Sequence, residues 1–250
     1  MPGDERSPGT LRGLSAAGAT AALLERGELE VLGLLPRSTN YTFLARVTDA
    51  DRRVLAVYKP RAGEAPLWDF PEGTLYRREV AAFVLADALG WPRVPPTVVR
   101  DGPRGIGSVQ LFVGFDPREH YFTMREERPD EFRRIALWDV VANNADRKSG
   151  HCLLSSDGEV FSVDHGVCFH QDPKLRTVIW DFAGEPIPAP MLEDLRALAP
   201  RLAGGSLRAA LAGLLSPQEV AAIERRLLAL VEAGRFPEPG PGRPYPWPPV

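Results

Sequence analysis

Three short stretches of this chain carry residue types able to act on a charged, transferable group. The first is Leu55-Ala56-Val57-Tyr58-Lys59-Pro60, an alternating run that ends on a lysine. The second is Asn143-Asn144-Ala145-Asp146-Arg147-Lys148-Ser149-Gly150-His151, dense in polar groups and following directly on an apolar stretch. The third is Val163-Asp164-His165-Gly166. A strand sends alternate residues to opposite faces, so Leu55, Val57 and Lys59 share one face. Two apolar side chains and then an ammonium suit a planar base lying on a sheet with phosphates at its end. The lysine needs an acidic partner, and Glu79 lies in the next helical stretch. Transfer of a phosphoryl group needs a base or positioner for the attacking hydroxyl, and carboxylates for a divalent cation. Asp146 and Asp164 supply two carboxylates in the right order, with a potential ligand, His151, between them.

The elements that must position these groups follow from periodicity and turn chemistry. Asp157-Gly158 between two alternating runs signals a hairpin with a two-residue turn. That turn pairs residues whose numbers sum to 315, which sets His151 opposite Asp164. Directly opposed Cβ atoms lie about 4.5–5.5 Å apart, close enough to share one ion. Upstream, residues 15 to 27 read as a helix. Val31–Leu35, Tyr41–Val47 and Val54–Lys59 read as strands, the last two flanking the polar turn Asp49-Ala50-Asp51. Thr74 to Leu89 is a helix with Thr74 as N-cap and Gly90 after its end. Pro95-Pro96 and Asp101-Gly102 read as breaks, and Gly107–Val113 as a strand. Helices then dominate: Phe132–Ala142, Met191–Leu202, Leu207–Leu215, and a last one opened by the capping box Ser216-Pro217-Gln218-Glu219 and closed before Gly234. The fold class expected is α+β and bilobal. Residues 1–14 form a disordered tail, 15–113 a β-rich N-lobe with the nucleotide-binding strands and one helix, and 114–236 a mainly helical C-lobe with the catalytic and metal-binding loops. Residues 237–250 form a proline-rich tail that fits extended polyproline II without a packed core, or a docking peptide around Pro244–Pro249.

Composition narrows the function classes. Thirty basic against 33 acidic residues leave a net charge of −3, which gives no long-range attraction for nucleic acid or anionic lipid. No apolar run approaches about 18 residues, so no stable membrane insertion is expected. Two cysteines, Cys152 and Cys168, make no disulfide framework, and a cytoplasmic setting is expected.

As an ordered set, Ala56-Val57-Tyr58-Lys59-Pro60, Val94-Pro95-Pro96-Thr97, Gly107-Ser108-Val109-Gln110-Leu111-Phe112-Val113, Asn144-Ala145-Asp146-Arg147 and Val163-Asp164-His165-Gly166 resemble the phosphatidylinositol 3-/4-kinase-like family of atypical kinases. The set is most like the type II phosphatidylinositol 4-kinases and an actinobacterial branch. The resemblance implies a protein-kinase-like fold with ATP between two lobes and a divalent cation, Mg²⁺ or Mn²⁺. It implies that Lys59 binds phosphate with Glu79 as its partner, and that Ser38-Thr39-Asn40 forms the loop covering the phosphates. It also implies that Gln110, Leu111, Phe112 and Val113 form the hinge beside adenine, near Val57. Asp146 is then the catalytic aspartate and Asp164 the metal-binding one. The partners implied are a nucleotide and a hydroxyl-bearing acceptor: a small molecule, an inositide or a protein.

Two departures from the family matter. Five residues after the catalytic aspartate the family carries asparagine; here it is His151, a softer ligand better suited to Mn²⁺ or Zn²⁺ than to Mg²⁺, so that either Asp164 mainly holds the ion, or His151 contacts phosphate, or activity is weakened. The stretch from Arg61 to Gly73 lacks the cysteine-rich insertion of the type II lipid kinases. A kinase is the leading reading. A nucleotide-binding pseudokinase and an AMP-transferring enzyme on the same fold are the alternatives. His120, His165 and His170 lack metallohydrolase spacing with His151 and read as hydrogen-bonded or solvated. Cys152 and Cys168 read as buried, and Trp68, Trp138 and Trp180 as core. Lys174 and Arg176 follow Asp164 where a kinase keeps its substrate-facing segment.

Overall fold

The computed structural model describes residues 9–36 and 40–250. The described residues form two compact units, those of 9–36 and 40–65 with 96–112, and those of 66–95 with 113–250.

The first unit is a five-stranded antiparallel sheet of order β1-β2-β3-β5-β4: β1 (Glu28–Leu34), β2 (Phe43–Thr48), β3 (Arg53–Pro60), β4 (Thr97–Gly102) and β5 (Gly105–Leu111). Helix α1 (Gly9–Arg26) lies in the same unit and starts earlier than expected, so residues 9–14 are helical; residues 1–8 of the expected tail lie outside the described residues. The β2–β3 turn is held as the sequence suggests, with Asp49 Oδ1 accepting the amides of Asp51 and Arg52 at 3.1 and 2.8 Å. Period-2 alternation is clear in β3: Ala56, Tyr58 and Pro60 are buried, while Leu55, Val57 and Lys59 face the more open side. Beneath the covered side, Ala45, Val47, Ala56, Tyr58 and Val109 pack with Leu23 and Leu24 of α1. Strand β4 is an addition to the sequence reading. Pro95-Pro96 ends just before it, and Asp101-Gly102 leads into the β4–β5 turn, where Gly102 pairs with Gly105.

The second unit is mainly helical: α2 (Leu75–Leu89), α3 (Tyr121–Met124), α4 (Pro129–Ala142), α5 (Ala189–Ala203), α6 (Ser206–Ala212) and α7 (Pro217–Ala233), with one hairpin, β6 (Cys152–Leu154) and β7 (Val160–Ser162). Helix α2, expected in the front lobe, packs here because Ala81, Ala82, Leu85, Ala86 and Leu89 join the core built by α4, α5 and α7. Gly90 ends it in the left-handed region at φ 87°, where only glycine is at ease. Thr74 precedes it, but its hydroxyl turns back to the Pro71 carbonyl at 2.7 Å instead of capping. The α7 capping box forms as expected, with Ser216 Oγ and Glu219 Oε2 each accepting the other residue's amide.

Two expectations are corrected here. The β6–β7 partners sum to 314: Cys152 pairs with Ser162 and Leu154 with Val160. Ser155 and Glu159 still hydrogen-bond, and Gly158 alone has positive φ (78°). The loop is therefore three residues ending on a left-handed glycine, and the register moves by one. The proline-rich tail is not unpacked. Pro246 is buried, and the carbonyls of Pro244 and Pro249 accept hydrogen bonds from the body of the second unit. Proline lacks a donor but keeps its acceptor, so such a segment can satisfy amides on a surface it crosses. Among the described residues, no helix is long and apolar enough to cross a membrane.

Candidate active site

In the second unit, α4 delivers the chain into the polar loop. Asn143 ends the helix in the left-handed region at φ 53°, and its side chain ties down the segment after Asp164. Its amide donates to the carbonyls of His170 and Asp172 at 2.9 and 2.7 Å, and its Oδ1 accepts the Lys174 amide at 2.8 Å. The loop then closes on itself, with Asn144 Oδ1 accepting the Asp146 amide at 3.0 Å.

The centre of the assembly is an ion pair between Asp139 and Arg147, both side chains 0 % exposed, at 2.8 Å. Arg147 uses all its nitrogens. Nε and Nη2 grip Asp139, Nη1 donates to the Val163 carbonyl at 3.1 Å, and Nη2 lies 3.1 Å from His165 Nε2. Burial by itself would favour a neutral guanidine, but the Asp139 carboxylate overrides it and raises the Arg147 pKa. Asp139 also accepts from Asn144 Nδ2 at 2.9 Å and from Thr177 Oγ1 at 3.4 Å. One buried pair thus joins α4, the loop carrying Asp146, and the segment carrying Asp164. A clue was present in the sequence: Asp139 is a lone acid in an apolar helical run and needs a buried cation.

Around this hub stand the residues singled out for chemistry. Asp146 is partly open, its side chain 35 % exposed, with Lys148 Nζ 3.1 Å from Oδ2. Burial raises its pKa; Lys148 opposes the shift and the Asp164 charge adds to it. Asp164 is 54 % exposed and adopts φ 61°, a left-handed conformation uncommon outside glycine that aspartate tolerates better than most side chains. The next residue anchors the turn. The His165 amide donates to Glu79 Oε2 at 3.0 Å, and the His165 ring is fully buried against Ser162 Oγ at 2.9 Å. The sequence suggested Glu79 only as a lysine partner; its bond to His165 makes it a support for the Asp164 turn as well.

The shifted register puts His151 across from Val163, whose amide donates to the His151 carbonyl at 3.0 Å. The His151 side chain nevertheless reaches Asp164, with Nε2 3.3 Å from Oδ2. The Lys148 amide lies 3.4 Å from Nδ1, which assigns the ring proton to Nε2, facing Asp164. His120, His165 and His170 occupy separate settings: beside a short helix, in the buried hub, and edge-on to Phe70. Burial pushes the Cys152 thiol up to about 12 and the Cys168 thiol well above its usual value, as expected of packing residues. Trp138 is in the core, but Trp68 is 92 % exposed, with the Lys174 ammonium over its ring at 5.2 Å. Lys174, in the segment after Asp164, binds Asp69 at 2.9 Å.

In the first unit, Lys59 lies on the open side of β3 in line with Leu55 and Val57. Gln110 pairs with Val57 in the sheet, and its side-chain amide donates to Thr97 Oγ1 at 2.8 Å. The Leu111 and Phe112 amides donate to Pro96 and Leu55 carbonyls, each at 2.9 Å, and Val113 begins the next unit's stretch. Ser38 and Thr39 lie outside the described residues. Asn40 is fastened to the turn after β3, its Oδ1 accepting the Ala65 amide at 2.7 Å.

A five-stranded antiparallel sheet followed by a helical unit with its polar loops is a kinase-like arrangement. Solved structures agree at the level of the fold. The hydra Fam20 structure with sugar gives a TM-score of 0.58 at 14% identity, covering 88% of each chain. The Golgi casein kinase with Mn/ADP bound gives 0.54 at 15% identity, covering 88% of this chain and 75% of that one. The Helicobacter pylori proinflammatory kinase CtkA gives 0.52 at 11%, covering 85% and 94%. The family profile described as phosphatidylinositol 3- and 4-kinase matches residues 99–202. Protein Rv2133c of Mycobacterium tuberculosis is 42% identical across 91% of this chain and 94% of its own length. Phosphatidylinositol 4-kinase gamma 4 of Oryza sativa subsp. japonica is 34% identical over 46% of this chain, which spans about a quarter of that protein's length, 24%. The chain belongs to the phosphatidylinositol 3-/4-kinase-like family of atypical kinases.

Proposed function

We propose that this chain is an ATP-dependent phosphotransferase that moves the γ-phosphate to a hydroxyl acceptor. The observation that carries the reading is the pair of partly exposed carboxylates, Asp146 and Asp164, held by one buried Asp139–Arg147 hub in a kinase-like fold. Asp146 accepts a hydrogen bond from the attacking hydroxyl and aims its oxygen. Its raised proton affinity suits a group that takes up the hydroxyl proton as the new bond forms. The Lys148 ammonium, 3.1 Å from Asp146 Oδ2, favours the carboxylate and so opposes the upward shift that burial causes. Lys59 takes the phosphates, the role the family resemblance gives it with Glu79 as its acid, while Leu55 and Val57 offer an apolar face to the base and residues 110–113 run along its edge. Asn40, with Ser38 and Thr39, covers the phosphates.

The donor set near Asp164 fits a divalent cation. The side chains that would hold it are the Asp164 carboxylate and the His151 imidazole, whose Nε2 lies 3.3 Å from Asp164 Oδ2. Asp164 would hold the ion, and His151 would join it once its ring proton moves to Nδ1. When bound, the ion neutralises charge on the transferring phosphate. The acceptor is a small molecule, an inositide or a protein.

Incubation with γ-labelled and, separately, α-labelled ATP tests the reading. Transfer of the γ label alone supports phosphorylation. Transfer of the α label would make the chain an AMP transferase, and transfer of neither, with ATP still bound, would make it a pseudokinase.

A further inference from the structure

The proline-rich segment at the end of the chain crosses the loops that carry the candidate catalytic groups. Pro249 O accepts the Ser149 amide at 2.9 Å, and Ser149 is fully buried and opens the single turn that ends on His151. Five residues earlier, Pro244 O accepts the Thr177 amide at 3.0 Å and the Trp180 indole N–H at 3.3 Å. Pro246, between the two contacts, is buried. Thr177 is itself bridged to Arg147, whose amide donates to the Arg176 carbonyl at 2.9 Å while the Arg147 carbonyl accepts from Val178 at 3.1 Å. One tail contact therefore ends three residues after Asp146, and the other on Thr177, which is bridged to Arg147.

We propose that residues 243–250 are a positioning strap: Pro244 and Pro249 fix the loop between Asp146 and His151 by supplying acceptors to Ser149 and Thr177. The loop's other amides find acceptors close by, Asp146 on Asn144 Oδ1, Arg147 on the Arg176 carbonyl and Lys148 on His151 Nδ1, whereas the Ser149 amide takes its acceptor from the tail. Proline is suited to the task because its restricted φ leaves little entropy to lose on docking. The strap's role in turnover rests on the kinase reading; its docking does not.

Amide hydrogen exchange on the full-length chain tests docking first. Ser149 and Thr177 amides should be protected to within about tenfold of the α7 interior. Exchange at the rate of open chain would overturn the proposal. Pro246→Asp in the full-length chain places a charge in the buried seat and should release the strap. We expect exchange at Ser149 and Thr177 to quicken at least roughly tenfold with α7 unchanged, and kcat to fall by about tenfold while KM for ATP stays within about threefold. Faster exchange with unchanged kcat would show that the strap docks without positioning. If Pro246→Asp fails to fold, a chain ending at Gly242, assayed with and without added peptide Arg243–Val250, replaces it; failure of the peptide to restore protection and turnover would overturn the idea. A wild-type chain that transfers no phosphate would sink the kinase reading and leave the exchange result to decide docking.

Discussion

Asp146 and Arg147 are neighbours in the chain and opposites in environment. Arg147 is sealed from water with every donor engaged, while Asp146 keeps about a third of its side chain open and carries a carboxyl whose charge is disfavoured by its surroundings. The same contrast separates His165, sealed into the hub, from Asp164 just before it, which is half exposed on a left-handed backbone. In both pairs one residue holds and the other is held. A buried ion pair costs more in desolvation than most replacements would. Its use here is geometric, since it fixes two loops so that two carboxylates can stand partly open without wandering.

The comparison breaks most visibly if the exposed charges prove dispensable. Lys59→Met and Asp164→Ala should each reduce ATP turnover at least about a hundredfold with the thermal transition preserved, because neither side chain is packed into a core. Turnover within about threefold of wild type for either variant would remove it from the site. A smaller effect sharpens the role of His151. Mn²⁺ should support faster turnover than Mg²⁺ by about threefold or more, and His151→Asn should move the preference back toward Mg²⁺. An unchanged metal preference would leave His151 as a hydrogen-bond donor to Asp164.

Much of this arrangement could be read in the chain. Alternation gave the face shared by Leu55, Val57 and Lys59, and the capping box and Gly234 gave the bounds of α7, because these signals are local and strong. The hairpin register was missed by one residue because Asp-Gly serves both two-residue and three-residue loops, and only the φ of Asp157 separates them. The Asp139–Arg147 pair and the bond from His165 to Glu79 were missed for another reason. Each joins residues whose separation carries no periodic signal, and burial of a charge leaves little trace in sequence beyond an acid in an apolar helix. The tail packs, against expectation, because proline removes donors but leaves every carbonyl able to accept. The exposed Trp68 shows the converse, a large ring that composition alone would bury.

The central claim is that Asp146 acts and Arg147 holds, and one paired measurement tests it: kcat and melting temperature for Asp146→Asn and Arg147→Met. The sign for Asp146 follows from its raised pKa. Between 3.8 and the higher folded value the native state binds the proton more readily, so stability falls as pH rises through that window, and the penalty persists above it. Asp146→Asn should therefore lose turnover at least about a thousandfold while melting at or above the wild-type temperature at pH 7, with any gain fading as pH falls toward 3.8. Arg147→Met leaves Asp139 as an uncompensated buried charge and should lower the melting temperature by roughly 6–20 °C. An Asp146→Asn protein that keeps turnover within about threefold of wild type, or that melts well below an intact Arg147→Met protein, would contradict the account.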